Sequence, residues 1–146
     1  MVVRQSTGVP IKINLTTTIK QPEQSEKFTF SENGQAVYIG DTLYLRYQES
    51  AENGTKVPVT MKIKTDNTIQ LRRHGQADLR LLFDVNNKGL SKYRTPAGLL
   101  DIMVSTKRLI SKIEQKPLNG QVIIDYDLAV GGQYVGNYNI QLQFAN

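Results

Sequence analysis

For most of its length this chain alternates apolar and polar side chains with a period of two, a rhythm that suits extended strands and not helices. Successive strand side chains point to opposite faces, so such a run buries one parity and wets the other. Ile11, Ile13, Leu15, Thr17 and Ile19 share one parity, against Lys12, Asn14, Thr16, Thr18 and Lys20. Val57, Val59, Met61 and Ile63 oppose Thr60, Lys62 and Lys64, while Tyr138, Ile140, Leu142 and Phe144 oppose Asn139, Gln141 and Gln143. No segment carries a helical period of comparable length.

Turn residues punctuate the runs. Pro22 ends the first, because it cannot donate to a strand ladder. The runs Lys27–Ile39, with an interruption expected near Asn33-Gly34, and Thr42–Gln48 meet at Gly40-Asp41, a two-residue hairpin connection. Glu49–Thr55, containing Asn53-Gly54, reads as a polar loop, and so does Val85–Lys92. Thr65–Thr68 reads as a turn. The long run Leu99–Glu114 places Leu100, Ile102 and Val104 on one face, and a kink near Thr106-Lys107 is expected to switch faces. Lys116–Gly120 reads as a turn. Val122, Ile124, Tyr126, Leu128 and Val130 then oppose Asp125 and Asp127, and Gly131-Gly132 makes the last turn. Turn signals at roughly 8–12-residue intervals fit a sandwich or barrel. Barrel closure removes exposed strand edges, so the predicted fold is all-β, a single antiparallel barrel of about 8–10 strands spanning 1–146 as one domain. The interior of such a barrel is filled by side chains or holds one small ligand.

One charged residue sits on the greasy parity. Ile69, Leu71, Arg73, Gly75, Ala77, Leu79, Leu81 and Phe83 all share a face, with a bulge or bend expected at Gly75. A guanidinium there needs a partner, because an unpaired buried charge is costly. With the inward tyrosines Tyr47, Tyr126 and Tyr138, Arg73 can present donors to a carboxylate or similar head group. Met61, Leu81, Phe83 and Leu142 would enclose an apolar tail. The predicted ligand site is therefore Arg73, Tyr47, Tyr126, Tyr138, Met61 and Phe83. A plainer reading, which the sequence favours, has Arg73 crossing one barrel end to bond carbonyls or stack on a tyrosine. A one-residue slip at Gly75 would put Arg73 outside.

Other chemistry finds little footing. The single histidine, His74, falls outward beside Arg72 and Arg73, so a hydrolytic triad has no base in reach of an interior nucleophile. One histidine and no cysteine argue against a transition-metal site and against disulfides. Asp125 and Asp127 share a strand face and read as a wet outer surface rather than a hard-cation site. No phosphate-binding glycine loop opens a helix. Single-strand nucleic-acid binding needs exposed aromatics among basic residues. Tyr44 near Arg46 and Tyr93 between Lys92 and Arg94 are the candidates, although Tyr93 is expected to pack the corner before Pro96.

Composition narrows the setting. With 39% hydrophobic and 21% charged residues, the chain reads as an ordinary soluble globular protein. No apolar run approaches the ~20 residues of a membrane helix, and Met1–Gly8 lacks the pattern of a secretory signal. Both points, with the lack of cysteine, lead to a cytoplasmic expectation. The net charge of +5 is uneven: 12 Lys/Arg against 4 Asp/Glu between Lys56 and Lys112. RNA or an acidic protein could meet such a stripe, but a solvated outer face explains it more simply.

The segments Arg73-His-Gly75, Phe83, Tyr93-Arg-Thr-Pro-Ala-Gly98, Ser105-Thr106 and Gly120–Tyr126 together resemble the YwiB-like family of small uncharacterised bacterial proteins. The matching positions are Arg73, Gly75, Phe83, Tyr93, Gly98, Thr106 and Tyr126; in the first strand only the alternation corresponds. The resemblance implies a calycin-like barrel, similar in architecture to lipocalins and fatty-acid-binding proteins. It implies a cytoplasmic protein of low-GC Gram-positive bacteria. It transfers no catalytic residue and no cofactor. The expectation is thus a non-catalytic barrel for a small amphipathic, anionic or apolar ligand, with surface binding of RNA or an acidic protein as the alternative.

Overall fold

Each alternating run becomes a strand because a sheet pairs its backbone while sending every second side chain into one interior. A computed structural model describes residues 8–50, 54–75 and 78–146. The strands are β1 (Val9–Lys20), β2 (Ser25–Ile39), β3 (Thr42–Ser50), β4 (Lys56–Ile63), β5 (Ile69–His74), β6 (Asp78–Phe83), β7 (Gly89–Thr95), β8 (Gly98–Gln115), β9 (Leu118–Val130) and β10 (Gln133–Ala145). Their hydrogen-bonded order is β6-β5-β4-β3-β2-β1-β10-β9-β8-β7. Every ladder is antiparallel. The result is an up-and-down, nearly closed barrel in which the first and last strands lie side by side, Leu15 opposite Leu142.

The greasy parity lines the interior. Ile13, Leu45, Met61, Val122, Ile124 and Leu142 are fully enclosed, each contributing about 1.5–3 kcal/mol as apolar surface leaves water. The parity rule holds through β8 only because of a bulge. Thr106 pairs with Tyr126 and Arg108 with Asp125, which leaves Lys107 as the extra residue. Ile102, Val104 and Thr106 point inward before it and Leu109 after it.

Closure is made at the seam between β6 and β7, the two ends of the order. Ser91 Oγ donates to the Arg80 carbonyl at 2.6 Å. At Gly89 the strands approach so closely that a Cβ there would stand 2.2 Å from the Leu82 carbonyl oxygen. Beyond it the Asp84 amide donates to Thr106 Oγ1 at 3.2 Å. This joins the end of β6 to β8 and satisfies a buried hydroxyl.

Five boundaries differ from the sequence expectation. β2 runs unbroken through Asn33-Gly34, because Gly34 lets the Arg46 carbonyl of β3 come within 2.5 Å of where a Cβ would sit. β3 extends through Glu49 to Ser50, paired with Val57 and Lys56. The expected loop from Val85 to Lys92 is shorter, since Gly89 already pairs with Val104. The run from Ile69 to Phe83 is a hairpin whose last pair is His74 with Asp78; both arms keep one inward parity, and Ala77 lies outside the described residues. The turn expected over Lys116–Gly120 narrows to two residues, because Gln115 already pairs with Leu118.

Candidate functional site

Four neighbouring strands build the row that holds the charged residue of the interior. Tyr47 of β3, Val59 of β4, Arg73 of β5 and Leu79 of β6 stand opposite one another in register. They form one inward row near a barrel end. Glu49 follows Tyr47 by two residues on β3, so it shares that face.

Arg73 Nη2 meets Glu49 Oε2 at 3.0 Å, with the two side chains 38% and 24% exposed. A second guanidinium nitrogen, Nε, is buried and has no hydrogen-bond partner among the described residues. Tyr47 Oη is in the same condition, on a residue only 4% exposed. Two such groups in one row are notable, because buried polar atoms are overwhelmingly satisfied and each orphan costs about 1–3 kcal/mol. Burial chiefly raises the Tyr47 phenol above its ordinary pKa of 10.0; the Glu49 charge adds to this and Arg73 opposes it. The hydroxyl therefore remains a neutral donor.

Tyr47, Glu49 and Arg73 line a cavity of about 360 Å³, at the small end of the range for ligand sites. Its walls are largely aliphatic: Leu15, Met61, Leu71, Leu81, Ile102 and Ile140 among them. An aromatic stack closes the opposite side. The Tyr126 and Tyr138 rings lie 5.3 Å apart and 17° from parallel, and the tilted Phe83 ring packs against Tyr126 at 4.8 Å. Burial raises both tyrosines' pKa values. A shallower depression shares Arg73, Leu79 and Tyr93 with the cavity and continues past Gly75 to Pro96.

Of the predicted residues, Arg73, Tyr47, Tyr126, Tyr138 and Met61 line the cavity together. Phe83 does not: it is 1% exposed and fills core against Tyr126. Leu142 is likewise enclosed core. The plainer expectation for Arg73, carbonyl bonding or ring stacking, gives way to an ion pair with Glu49. That acid was missed because β3 was expected to end at Gln48. Extending the parity of Leu43, Leu45 and Tyr47 by one step would have found it. Tyr93 borders the cavity as well as the depression beside Pro96.

Outside the barrel, His74 is exposed. Asn137 Nδ2 donates to Asp125 and Asp127 at 2.8 and 3.1 Å, and Lys107 reaches Asp127 at 3.1 Å. The acid pair is thereby satisfied. Among the described residues no group of three or more His, Cys, Asp or Glu is arranged to hold a metal ion. No helix there is long and apolar enough to cross a membrane.

The family model described as Domain of unknown function (DUF1934) matches residues 13–142. The chain belongs to this family. It is similar to the Uncharacterized beta-barrel protein YwiB of Bacillus subtilis (strain 168), at 24% identity over 135 residues and 92% of each chain. The crystal structure of the ywiB protein from Bacillus subtilis superposes with a TM-score of 0.83 at 22% identity, covering 97% of this chain and 94% of that one. The shared feature is the barrel, in a family whose biochemical role is unassigned.

Proposed function

We propose that this calycin-like barrel is a non-catalytic binding module that holds a small amphipathic or apolar molecule in its cavity. The observation that carries this reading is a pair of buried donors without partners among the described residues, Tyr47 Oη and Arg73 Nε, on side chains that line a largely apolar cavity. A ligand oxygen accepting from either atom supplies a hydrogen bond that the described residues do not, while the aliphatic walls and Tyr126–Tyr138 stack enclose the rest of the molecule. A non-catalytic role is supported by the inventory: the chain has no cysteine and one histidine, and the cavity's carboxylate is bound to Arg73. The lack of cysteine also suits the cytoplasm.

Methionine-methyl NMR during titration with decanol tests the reading. Met61 is among the residues lining the cavity, whereas Met103 lies on the outer face opposite Leu90. Saturable movement of Met61 with Met103 still is the expected result. No movement, together with no small molecule retained in native mass spectrometry of the freshly purified protein, would remove the proposal.

A second reading uses the outer face of β3–β6, where Arg46, Thr60, Arg72 and Arg80 form one row, to bind RNA or an acidic protein. Two contacts weaken it. Arg72 is held by both oxygens of Asp78, and the Tyr44 ring is attended by Arg46 and Lys62. Electrophoretic shifts of RNA at low salt are the direct test, and no shift there rejects that partner.

A further inference from the structure

We infer that the cavity selects an uncharged ligand bearing a hydrogen-bond-accepting oxygen, such as an ester, ketone or amide, and that Glu49 enforces the choice by neutralising Arg73. This rests on the ligand-binding reading above. An arginine on an apolar barrel wall would by itself favour a carboxylate. Here the favourable charge is already taken, because Glu49 Oε2 stands 3.0 Å from Arg73 Nη2. An entering anion meets both members of the pair, and attraction to the guanidinium is offset by repulsion from a carboxylate that is itself mostly buried. Low local dielectric makes that repulsion count.

Displacing Glu49 would relieve the repulsion only by leaving that carboxylate without its cation, an expensive exchange in a partly buried site. What remains on offer is directional and uncharged in sum: the Tyr47 hydroxyl and the Arg73 Nε–H, both lacking acceptors among the described residues. Glu49 also raises the Tyr47 pKa together with burial, so the phenol stays a donor. A neutral oxygen can accept from these groups without the large desolvation cost of an ion. Size points the same way to a modest ligand. At roughly 30 Å³ for a water-sized group, a cavity of about 360 Å³ admits on the order of a dozen heavy atoms.

The test compares methyl nonanoate with decanoate, the anion of its isomer decanoic acid, by calorimetry at neutral pH. They have the same heavy atoms and differ in the charge and shape of the head. The ester is expected to bind at least about ten-fold more tightly, a margin of about 1.4 kcal/mol. Glu49→Gln keeps the size and an acceptor for Arg73 while removing the charge, and is expected to shift the ester-to-acid ratio toward the acid by about ten-fold or more. Tighter binding of decanoate to the unmodified protein overturns the inference yet leaves the ligand-binding reading standing. Binding of neither compound, together with the unmoved Met61 methyl, ends that reading itself. An unchanged ratio in Glu49→Gln removes the role given to Glu49. The comparison on the unmodified protein decides ligand class whether or not the variant folds.

Discussion

Arg73 on β5 reaches past β4 to Glu49 on β3, closing 3.0 Å from its carboxylate, over the register in which Val59 faces Tyr47 on one side and Arg73 on the other. The ion pair leaves the guanidinium Nε and the Tyr47 hydroxyl without acceptors among the described residues. The barrel thus keeps unsatisfied donors beside an apolar hollow, which a fold selected for stability alone would replace.

Tyr47→Phe should therefore stabilise the protein. The substitution removes a buried hydroxyl that has no partner among the described residues, at no loss of volume in the walls. Urea denaturation is expected to show a gain of about 1 kcal/mol, while methyl nonanoate binds more weakly. A loss of stability instead would mean that the hydroxyl has a partner in solution.

Stability should fall steeply as pH rises above 10. Burial raises the Tyr47 and Tyr126 phenols above 10.0 in the folded protein. Below that value both states keep the proton, and the contribution is fully present. Above it the unfolded chain releases protons that the folded one retains, so unfolding gains with pH. Denaturation midpoints measured from neutral pH upward should decline less steeply in Tyr47→Phe than in the unmodified protein.

Gly89→Ala should open the seam. Its Cβ would stand 2.2 Å from the Leu82 carbonyl oxygen, and a backbone atom cannot swing aside as a side chain can. A loss of about 1–3 kcal/mol is expected, with amides of β6 and β7 exchanging faster. Ser91→Ala, which removes only the bond to Arg80, should cost about 1 kcal/mol. Equal, negligible effects would show that closure does not depend on this contact.

Acid sensitivity should trace in part to Asp127. Burial acts to raise its carboxyl, but the Asn137 and Lys107 hydrogen bonds and the Lys107 charge outweigh it and hold the pKa below the ordinary 3.8. The stability it contributes is present above that value and fades as pH falls through the lower, folded one. Asp127→Asn is expected to flatten the acid limb of the stability curve, and an unchanged slope would contradict this assignment.

Much of the architecture was legible before any coordinates. The parity of Ile11–Ile19, the Gly40-Asp41 connection and the face switch at Thr106-Lys107 are local events, set by side-chain direction and turn chemistry over a few residues. Five of the six residues expected at the cavity meet there for the same reason. Phe83 defeats that logic, because parity reports which face a side chain takes but not how deep along the strand the hollow reaches.

Glu49 and Gly89 were hidden for a different reason. Both look like loop residues, one polar and one flexible, and both belong to strands because of what lies opposite: Val57 for Glu49, Val104 and Leu82 for Gly89. Alternation along the chain, a property of each segment alone, determined that this protein is a curled antiparallel sheet with an arginine on its inner face. Whether that arginine stood free or neutralised, and whether the interior was filled or hollow, depended on strands distant in sequence coming into register. Charge pairing and cavity volume are sums over neighbours in space, so only the closed barrel could decide them.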